Sequence, residues 1–435
     1  MVKRVLMIAF HYPPMRGSSG IQRTLKFSQY LPEFDWEPIV LTAHPRAYAS
    51  TSNHQIREIS DRLPVYRAFA LDTSRHLSFM GRYPSLFALP DRWVSWLIGA
   101  VPMGLHLIRK YRPHVIWSTY PVATAHLIGL SLSRITGLPW VADLRDPMTD
   151  VNYPPDPFTR RMYQWIEEKT ITHCTRAVLT TPGSINDYET RFSQVPASRF
   201  CLIENGYDEE NFVAAEAGIR SGLSNGGKFV LVHSGIIYPS ERDPVAFFEA
   251  LAALLEKKLI SPLNLKVILR ATAHDEYLLP LINQYGIGDI VSLAPPVPYQ
   301  DALSEMLSAD GLLILQAANC NNQIPAKLYE YLRARRPILA LTDPIGSTAV
   351  ALRNAGIDTI ARLDSMNDIM QELLRFLALA NRDEAPIAPM EKVLACSRKS
   401  LTRDLANLLN SVSENWNYGS YSPPGRSASN FKDLL

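Results

Sequence analysis

What this sequence lacks narrows it first. None of its four cysteines, Cys174, Cys201, Cys320 and Cys396, stands in a Cys-x-x-Cys pair. A thiolate zinc site and a dense disulfide framework are therefore excluded, and reduced, mostly buried thiols are expected. There is no His-Glu-x-x-His and no Asp-x-Asp, so no motif demands a metal or metal cofactor. There is no Gly-x-Gly-x-x-Gly, so the dinucleotide fingerprint is missing. Net charge of one sign is nearly absent: 44 Lys and Arg face 42 Asp and Glu, for +2. A nucleic-acid-binding chain would normally show a concentrated basic face, so no nucleic-acid partner is expected. Long apolar runs are absent too. The longest, Trp93–Ile108, is broken by Ser95, Pro102 and His106 and falls short of the roughly 20 residues of a spanning helix. After Lys3 and Arg4 only six apolar residues precede His11, too few for a secretory signal. A cytoplasmic protein is expected, peripheral on the inner membrane face at most.

What is present is a large apolar fraction, 47% of 435 residues, with 20% charged, enough for two cores. Short β-rich runs alternate with amphipathic stretches. In the first half, strands are expected at Val5–Phe10, Ile39–Thr42, Val115–Thr119, Trp140–Asp143, Ala177–Thr180 and Phe200–Ile203. In the second they are expected at Phe229–His233, Leu265–Leu269, Val291–Leu293, Leu312–Leu315 and Ile338–Leu341. Unalternating Val, Ile and Leu indicate strands buried on both faces, hence parallel, and strand–helix alternation indicates doubly wound α/β domains. The Gly/Ser/Asn cluster 221–227 is read as the junction. The expected organisation is a domain over 1–220, a second over 228–395, a terminal helix over 396–412 and a disordered tail over 413–435. Gly222, Gly227 and Lys228 mimic a P-loop, but Phe229 replaces the Ser or Thr and the motif precedes a strand, so it is read as linker.

In open parallel sheets ligands bind beyond the carboxyl ends of strands, so the segments there carry the chemistry. After the first strand comes His11-Tyr-Pro-Pro-Met-Arg-Gly17-Ser18-Ser19-Gly20 and then a helix. This reads either as a phosphate or sugar loop at a helix N-terminus or as a tight turn capped by Ser18 or Ser19. After the fourth predicted strand comes Asp143-Leu-Arg145-Asp146-Pro. Charges at a buried strand end must be paired or used, so Asp143 or Asp146 contacts an acceptor hydroxyl with Arg145 orienting it, or all three form an ion-pair network. In the second half, Ser234-Gly235 is followed by Arg242-Asp243-Pro244. Gly235 permits close backbone approach by a ligand. Arg242, just before a helix, suits a diphosphate, or alternatively pairs with Glu241. Pro325 opens a helix on which Lys327 and Glu330, three apart, share a face. A carboxylate there can accept both ribose hydroxyls and a lysine can meet phosphate; the alternative is an exposed helix pair. Arg92-Trp93-Val-Ser-Trp96, with Arg109, Lys110 and Arg112 beyond, reads either as a membrane-interface segment or as a packed helix capped by Asp91.

Taken in order, Tyr12-Pro-Pro…Gly17…Gly20, Asp143-Leu-Arg-Asp146-Pro, Glu204-Asn-Gly-Tyr-Asp208, Ser234-Gly235…Arg242 and Pro325-Ala-Lys327-Leu-Tyr-Glu330 resemble the retaining, family-4-like glycosyltransferases of the GT-B fold, over roughly residues 1–410. The resemblance implies two Rossmann-like domains facing a cleft, the first holding the acceptor with His11 and Arg145 on that side. The second would bind a nucleotide-diphosphate sugar. Glu330 would take the ribose hydroxyls as the second acid of a Glu-x7-Glu pattern. Arg242 and Lys327 would neutralise the diphosphate, and Gly17–Gly20 would close over the donor. Arg242, Lys327, Asp143 and Asp146 are the catalytic candidates. Asn322 stands where the family has its first acid, a departure at the donor sugar. The implied partners are a nucleotide sugar and a glycan or lipid-linked acceptor, with no metal or cofactor. The implied setting is cell-surface polysaccharide or glycoconjugate synthesis. Two rival readings remain: a nucleotide-sugar epimerase of the same fold, and a non-catalytic nucleotide-sugar or glycan-binding protein.

Overall fold

The structure is a computed structural model that describes residues 2–16, 20–52, 55–80, 82–150, 153–218 and 227–414. The chain divides into two units, one formed by Met1–Leu179, Tyr188–Ile203 and Thr402–Leu435, the other by Thr180–Asp187 and Glu204–Leu401.

The first unit holds seven parallel strands: β1 (Lys3–Ala9), β2 (Trp36–Ala43), β3 (Val65–Ala68), β4 (Val115–Thr119), β5 (Trp140–Arg145), β6 (Arg176–Leu179) and β7 (Phe200–Leu202). Their order is β3-β2-β1-β4-β5-β6-β7, so the direction of winding reverses between β1 and β4. The second unit holds β8 (Phe229–Ser234), β9 (Leu265–Arg270), β10 (Val291–Ala294), β11 (Gly311–Leu315), β12 (Ile338–Leu341) and β13 (Ile360–Ala361) in the order β10-β9-β8-β11-β12-β13, reversing between β8 and β11. Two doubly wound parallel sheets are therefore present, as the sequence pattern predicts.

The reason for parallel pairing is visible in the second sheet. Leu313, Leu315, Leu339 and Leu341 pack into one apolar layer, while the alternate residues Leu312, Ile314, Ile338 and Ala340 pack into another. Both faces of the central strands are covered, so apolar residues are needed at every position. β3 and β13 escaped the sequence reading. β3 has an intermediate, mixed pattern (Val-Tyr-Arg-Ala) and β13 is only two residues long.

The junction differs from the expected one. The helix Glu209–Gly218 belongs to the second unit, because Phe212 and Ala215 join the core around Val232, Leu312 and Leu328. Residues 221–226 and 415–435, read as linker and tail, lie outside the described residues. The terminal helix is Arg398–Glu414, and from Thr402 onward it counts with the first unit. There Asn410 accepts from Lys3 Nζ at 2.9 Å and Trp36 Nε1 at 3.2 Å.

The tryptophans considered for a lipid interface serve the core instead. Trp96 is fully buried, and Trp93 donates its indole N–H to Ala47 O and lies 4.7 Å from the Phe10 ring. Among the described residues no helix is long and apolar enough to cross a membrane.

Gly206 is needed for a close pass. A Cβ there would stand 2.2 Å from the carbonyl oxygen of Cys396, which accepts from Tyr207 N–H. Gly206→Ala is expected to cost about 1–3 kcal/mol, the cost of an overpacked contact that backbone must relieve. An unchanged denaturant midpoint would show that the neighbouring strand of chain yields freely.

His126 is buried in the first unit, where its Nδ1 pairs with Ser118 Oγ at 2.8 Å; Trp140 donates to the same oxygen. Burial lowers its pKa from 6.5 to about 4. Above pH 6.5 both folded and unfolded chains hold it neutral. Below that, the unfolded chain takes the proton first, so stability falls with pH until about pH 4. The slope for this residue is up to about 1.4 kcal/mol per pH unit. His126→Gln should flatten the dependence of the denaturant midpoint on pH across this window; an unaltered slope would assign acid sensitivity elsewhere.

Candidate functional site

The site assembles in the second unit at the reversal between β8 and β11. β8 carries His233 near its end. The Nδ1 of His233 lies 2.9 Å from Leu313 O, and a carbonyl only accepts, so the proton sits on Nδ1. Nε2 then presents its lone pair to Lys327 Nζ, also at 2.9 Å. Burial, followed by the charge of Lys327, holds His233 well below its usual pKa, consistent with this neutral tautomer.

Two residues on, Gly235 has φ +115° and donates its N–H to Arg270 O at 2.8 Å. The backbone angle favours glycine, and a Cβ there would lie 3.1 Å from Lys327 Nζ and press on the ammonium. Ser234 N–H donates to Tyr331 Oη at 2.9 Å, which ties the end of β8 to the helix Lys327–Ala334.

The electrostatics of this corner are unusual. Lys327 is pushed well below its usual pKa by burial first and by Arg242 second, with Glu330 opposing. Arg242 donates to Ile236 O at 2.7 Å and lies over the Tyr238 ring; among the described residues neither cation makes an ion pair. Two cations close enough to repel, without a protein carboxylate paired to either, make a place that an anion stabilises. Beside them Glu330 accepts from Tyr299 Oη at 2.7 Å. Burial raises the Glu330 carboxyl, against Tyr299, Arg398 and Lys327, which lower it.

His233, Tyr299 and Arg398 were not assigned roles from the sequence. A polar residue closing the apolar run of β8 was a signal for His233. Tyr299 and Arg398 are 31 and 68 residues from Glu330 in sequence and gave none. Asn322 is exposed, and its carbonyl accepts from Thr181 Oγ1 at 2.6 Å and Ser184 Oγ at 2.9 Å. Elsewhere in this unit a cavity of about 700 Å³ is lined by Asp243, Glu249, Asp343, Asp364 and Arg362. Four carboxylates to one guanidinium repel a diphosphate, so size alone does not make it the site.

In the first unit the corresponding reversal, between β1 and β4, gathers His11, Thr119, Tyr120 and the end of β5. Here the sequence reading needs correcting. Asp143 is fully buried and bound on both oxygens by Arg23, at 2.9 Å each, with Thr119 Oγ1 donating at 2.9 Å. Its bidentate partner is Arg23 on the helix Gly20–Tyr30, while Arg145 acts on it through its charge. The charges at this strand end are thus, for Asp143, a structural pair. Arg145 has φ +62° and points NH1 at Tyr120 O, at 3.4 Å. His11 is half-buried with its pKa lowered to about 4, by burial and then by the Arg145 charge. Asp146 is half-buried and electrostatically coupled to Arg145. Gly20 is the first residue of its helix; Gly17, Ser18 and Ser19 lie outside the described residues.

Comparison with known proteins gives the class. The chain is similar to sucrose-phosphate synthase from Thermosynechococcus elongatus, with TM-score 0.66, 13% identity and coverage of 95% of this chain and 100% of the other. It is similar to WaaG, a glycosyltransferase involved in lipopolysaccharide biosynthesis, with TM-score 0.54, 15% identity and coverage of 94% and 97%. It is also similar to UDP-GlcNAc 2-epimerase from Neisseria meningitidis, bound to UDP-GlcNAc, with TM-score 0.53, 11% identity and coverage of 94% and 100%. At such identities the likeness shows the fold, which is that of the GT-B glycosyltransferases. No curated protein matches the sequence. Residues 20–206 match the glycosyl transferase 4-like domain family, so that stretch of the chain carries a glycosyltransferase-type domain.

Proposed function

We propose that this glycosyltransferase moves a sugar from a nucleotide-diphosphate sugar to a hydroxyl of a glycan or lipid-linked acceptor, with retention and without a metal. One observation carries the donor assignment: Arg242 and Lys327 sit together, with no ion-paired carboxylate among the described residues, beside Gly235, at the strand reversal of the second unit. In this reading they take the diphosphate. The leaving group gains negative charge as the glycosidic bond breaks, and fixed cations stabilise that charge more than they stabilise the ground state. His233 accepts from Lys327 and so aims it. Glu330, aimed by Tyr299, takes the ribose hydroxyls, and Asn322 lies on the sugar side. In the first unit His11, Arg145 and Asp146 meet the acceptor. Retention is carried over from the family-4-like resemblance. A setting in cell-surface glycan assembly has support from the likeness to WaaG.

The test is a thermal-shift screen of the full chain against nucleoside diphosphates and their sugars, followed by transfer assays. A ligand that binds only the native state raises the melting temperature by mass action, so the true donor should stand out. Shifts with a nucleoside diphosphate that vanish in Arg242→Ala support the site. A new sugar formed from the donor alone, without acceptor, would replace transfer by epimerisation. Donor binding with neither transfer nor hydrolysis would leave a binding protein.

A further inference from the structure

Arg242 is held by an aromatic ring and a carbonyl. Both belong to the turn that precedes it, and the turn is itself tied down. Ile237 N–H donates to Thr272 O at 3.0 Å, Ala317 N–H donates to Glu241 O at 2.7 Å, and Asn319 Nδ2 donates to Ser240 O at 2.9 Å. The segment is thus laced to the loops after β9 and β11. Within it, the N–H groups of Glu241 and Arg242 both donate to Tyr238 O, at 3.0 and 2.8 Å. That closes a single turn of backbone and sets the Arg242 side chain over Tyr238, four residues earlier. The guanidinium carbon lies 5.4 Å from the centre of the Tyr238 ring. The same guanidinium donates to Ile236 O at 2.7 Å. The ring of His274 flanks that of Tyr238, with 5.9 Å between centroids.

The chemistry of this arrangement differs from that of an ion pair. A guanidinium carries its N–H donors in one plane, and an aromatic face attracts the cation without using any of them. Ile236 O takes one donor at the edge, and the rest of the plane stays available for two oxygens at once. A carboxylate in place of the ring would take those donors and cancel the charge. Tyr238 therefore orients Arg242 without neutralising it. An arginine already held in its working plane also has less rotamer freedom to lose when an anion arrives.

We propose that Tyr238 is a positioning residue for the donor diphosphate: its ring sets the plane of the Arg242 guanidinium so that two N–H groups meet phosphate oxygens together. This rests on the donor reading of the second unit. The face of the ring does the positioning, and the hydroxyl has no part in it.

The experiment is titration calorimetry of the full chain with UDP, GDP and ADP, continued with whichever binds the wild-type chain most tightly. The variants are Tyr238→Leu, Tyr238→Phe, Arg242→Ala and Tyr238→Leu/Arg242→Ala. Tyr238→Leu is expected to weaken binding about threefold to tenfold, the range of a cation–aromatic contact. Tyr238→Phe keeps the face and should stay within about twofold of wild type. In the Arg242→Ala background, Tyr238→Leu should have no further effect, because the ring then has nothing to orient. The Tyr238 side chain is exposed, so its variants should keep the wild-type melting temperature, which is the folding control. Weakening by Arg242→Ala without weakening by Tyr238→Leu overturns the proposal and leaves the donor reading standing. So does an equal loss in Tyr238→Phe, or a loss from Tyr238→Leu that persists without Arg242. No binding to the wild-type chain, or full binding in Arg242→Ala, removes the donor reading and this proposal with it.

Discussion

Lys327→Ala is expected to lower the rate of sugar transfer at saturating acceptor by about a hundredfold, roughly 3 kcal/mol of transition-state stabilisation. The size follows from its setting. Nζ is held by His233, crowded by Arg242 and half-buried, so its charge is felt strongly by a group developing negative charge nearby. The same setting gives a pH signature. With the site empty, burial and Arg242 hold Lys327 well below its usual pKa, so part of its charge is lost as pH rises through that lowered value. A bound diphosphate restores the proton. Nucleoside-diphosphate affinity should therefore fall with rising pH well before about pH 10, where an ordinary lysine would titrate. Arg242→Ala, by removing the repulsion, should weaken binding and move the fall to higher pH. Titration calorimetry across this range would show both; a pH-independent affinity in the wild-type chain would remove Lys327 from the phosphate site.

The second large effect concerns the fold. Arg23→Met is expected to destabilise the first unit by about 3–5 kcal/mol, because it leaves Asp143 charged, buried and deprived of its bidentate partner. Asp143→Leu alone should cost a similar amount by depriving Arg23 of its carboxylate, though it still donates to Ile203 O at 2.9 Å. The double variant Arg23→Met/Asp143→Leu should recover a large part of the loss, since both charges are then gone. Denaturant melts of the four chains check this. Additive losses in the double variant would mean that the pair is not the source of the cost.

These two residues also show how sequence and structure divide. Asp143 looked chemical because it closes an apolar strand within Asp-Leu-Arg-Asp, and the nearest opposite charge in sequence was Arg145. The true partner, 120 residues away, was invisible, since nothing in a helix such as Gly20–Tyr30 announces that its arginine turns inward. Trp93 and Trp96 illustrate the same limit. Aromatic residues beside basic ones describe a membrane interface and a packed helix end equally well, and only burial separates the two.

The sequence by itself determined the two parallel α/β sheets, because runs of Val, Ile and Leu buried on both faces leave few alternatives, and its strand-end motifs carried the glycosyltransferase resemblance. It also singled out Gly235, Arg242, Lys327 and Glu330, because strand ends and helix starts are local signals. The tertiary structure alone decided which charges are paired with a distant partner and which, among the described residues, are not. It brought His233, Tyr299 and Arg398 to Lys327 and Glu330, withdrew Asp143 into an ion pair, and assigned Glu209–Gly218 to the second unit. The physical reason is that burial and charge pairing are set by neighbours distant in sequence.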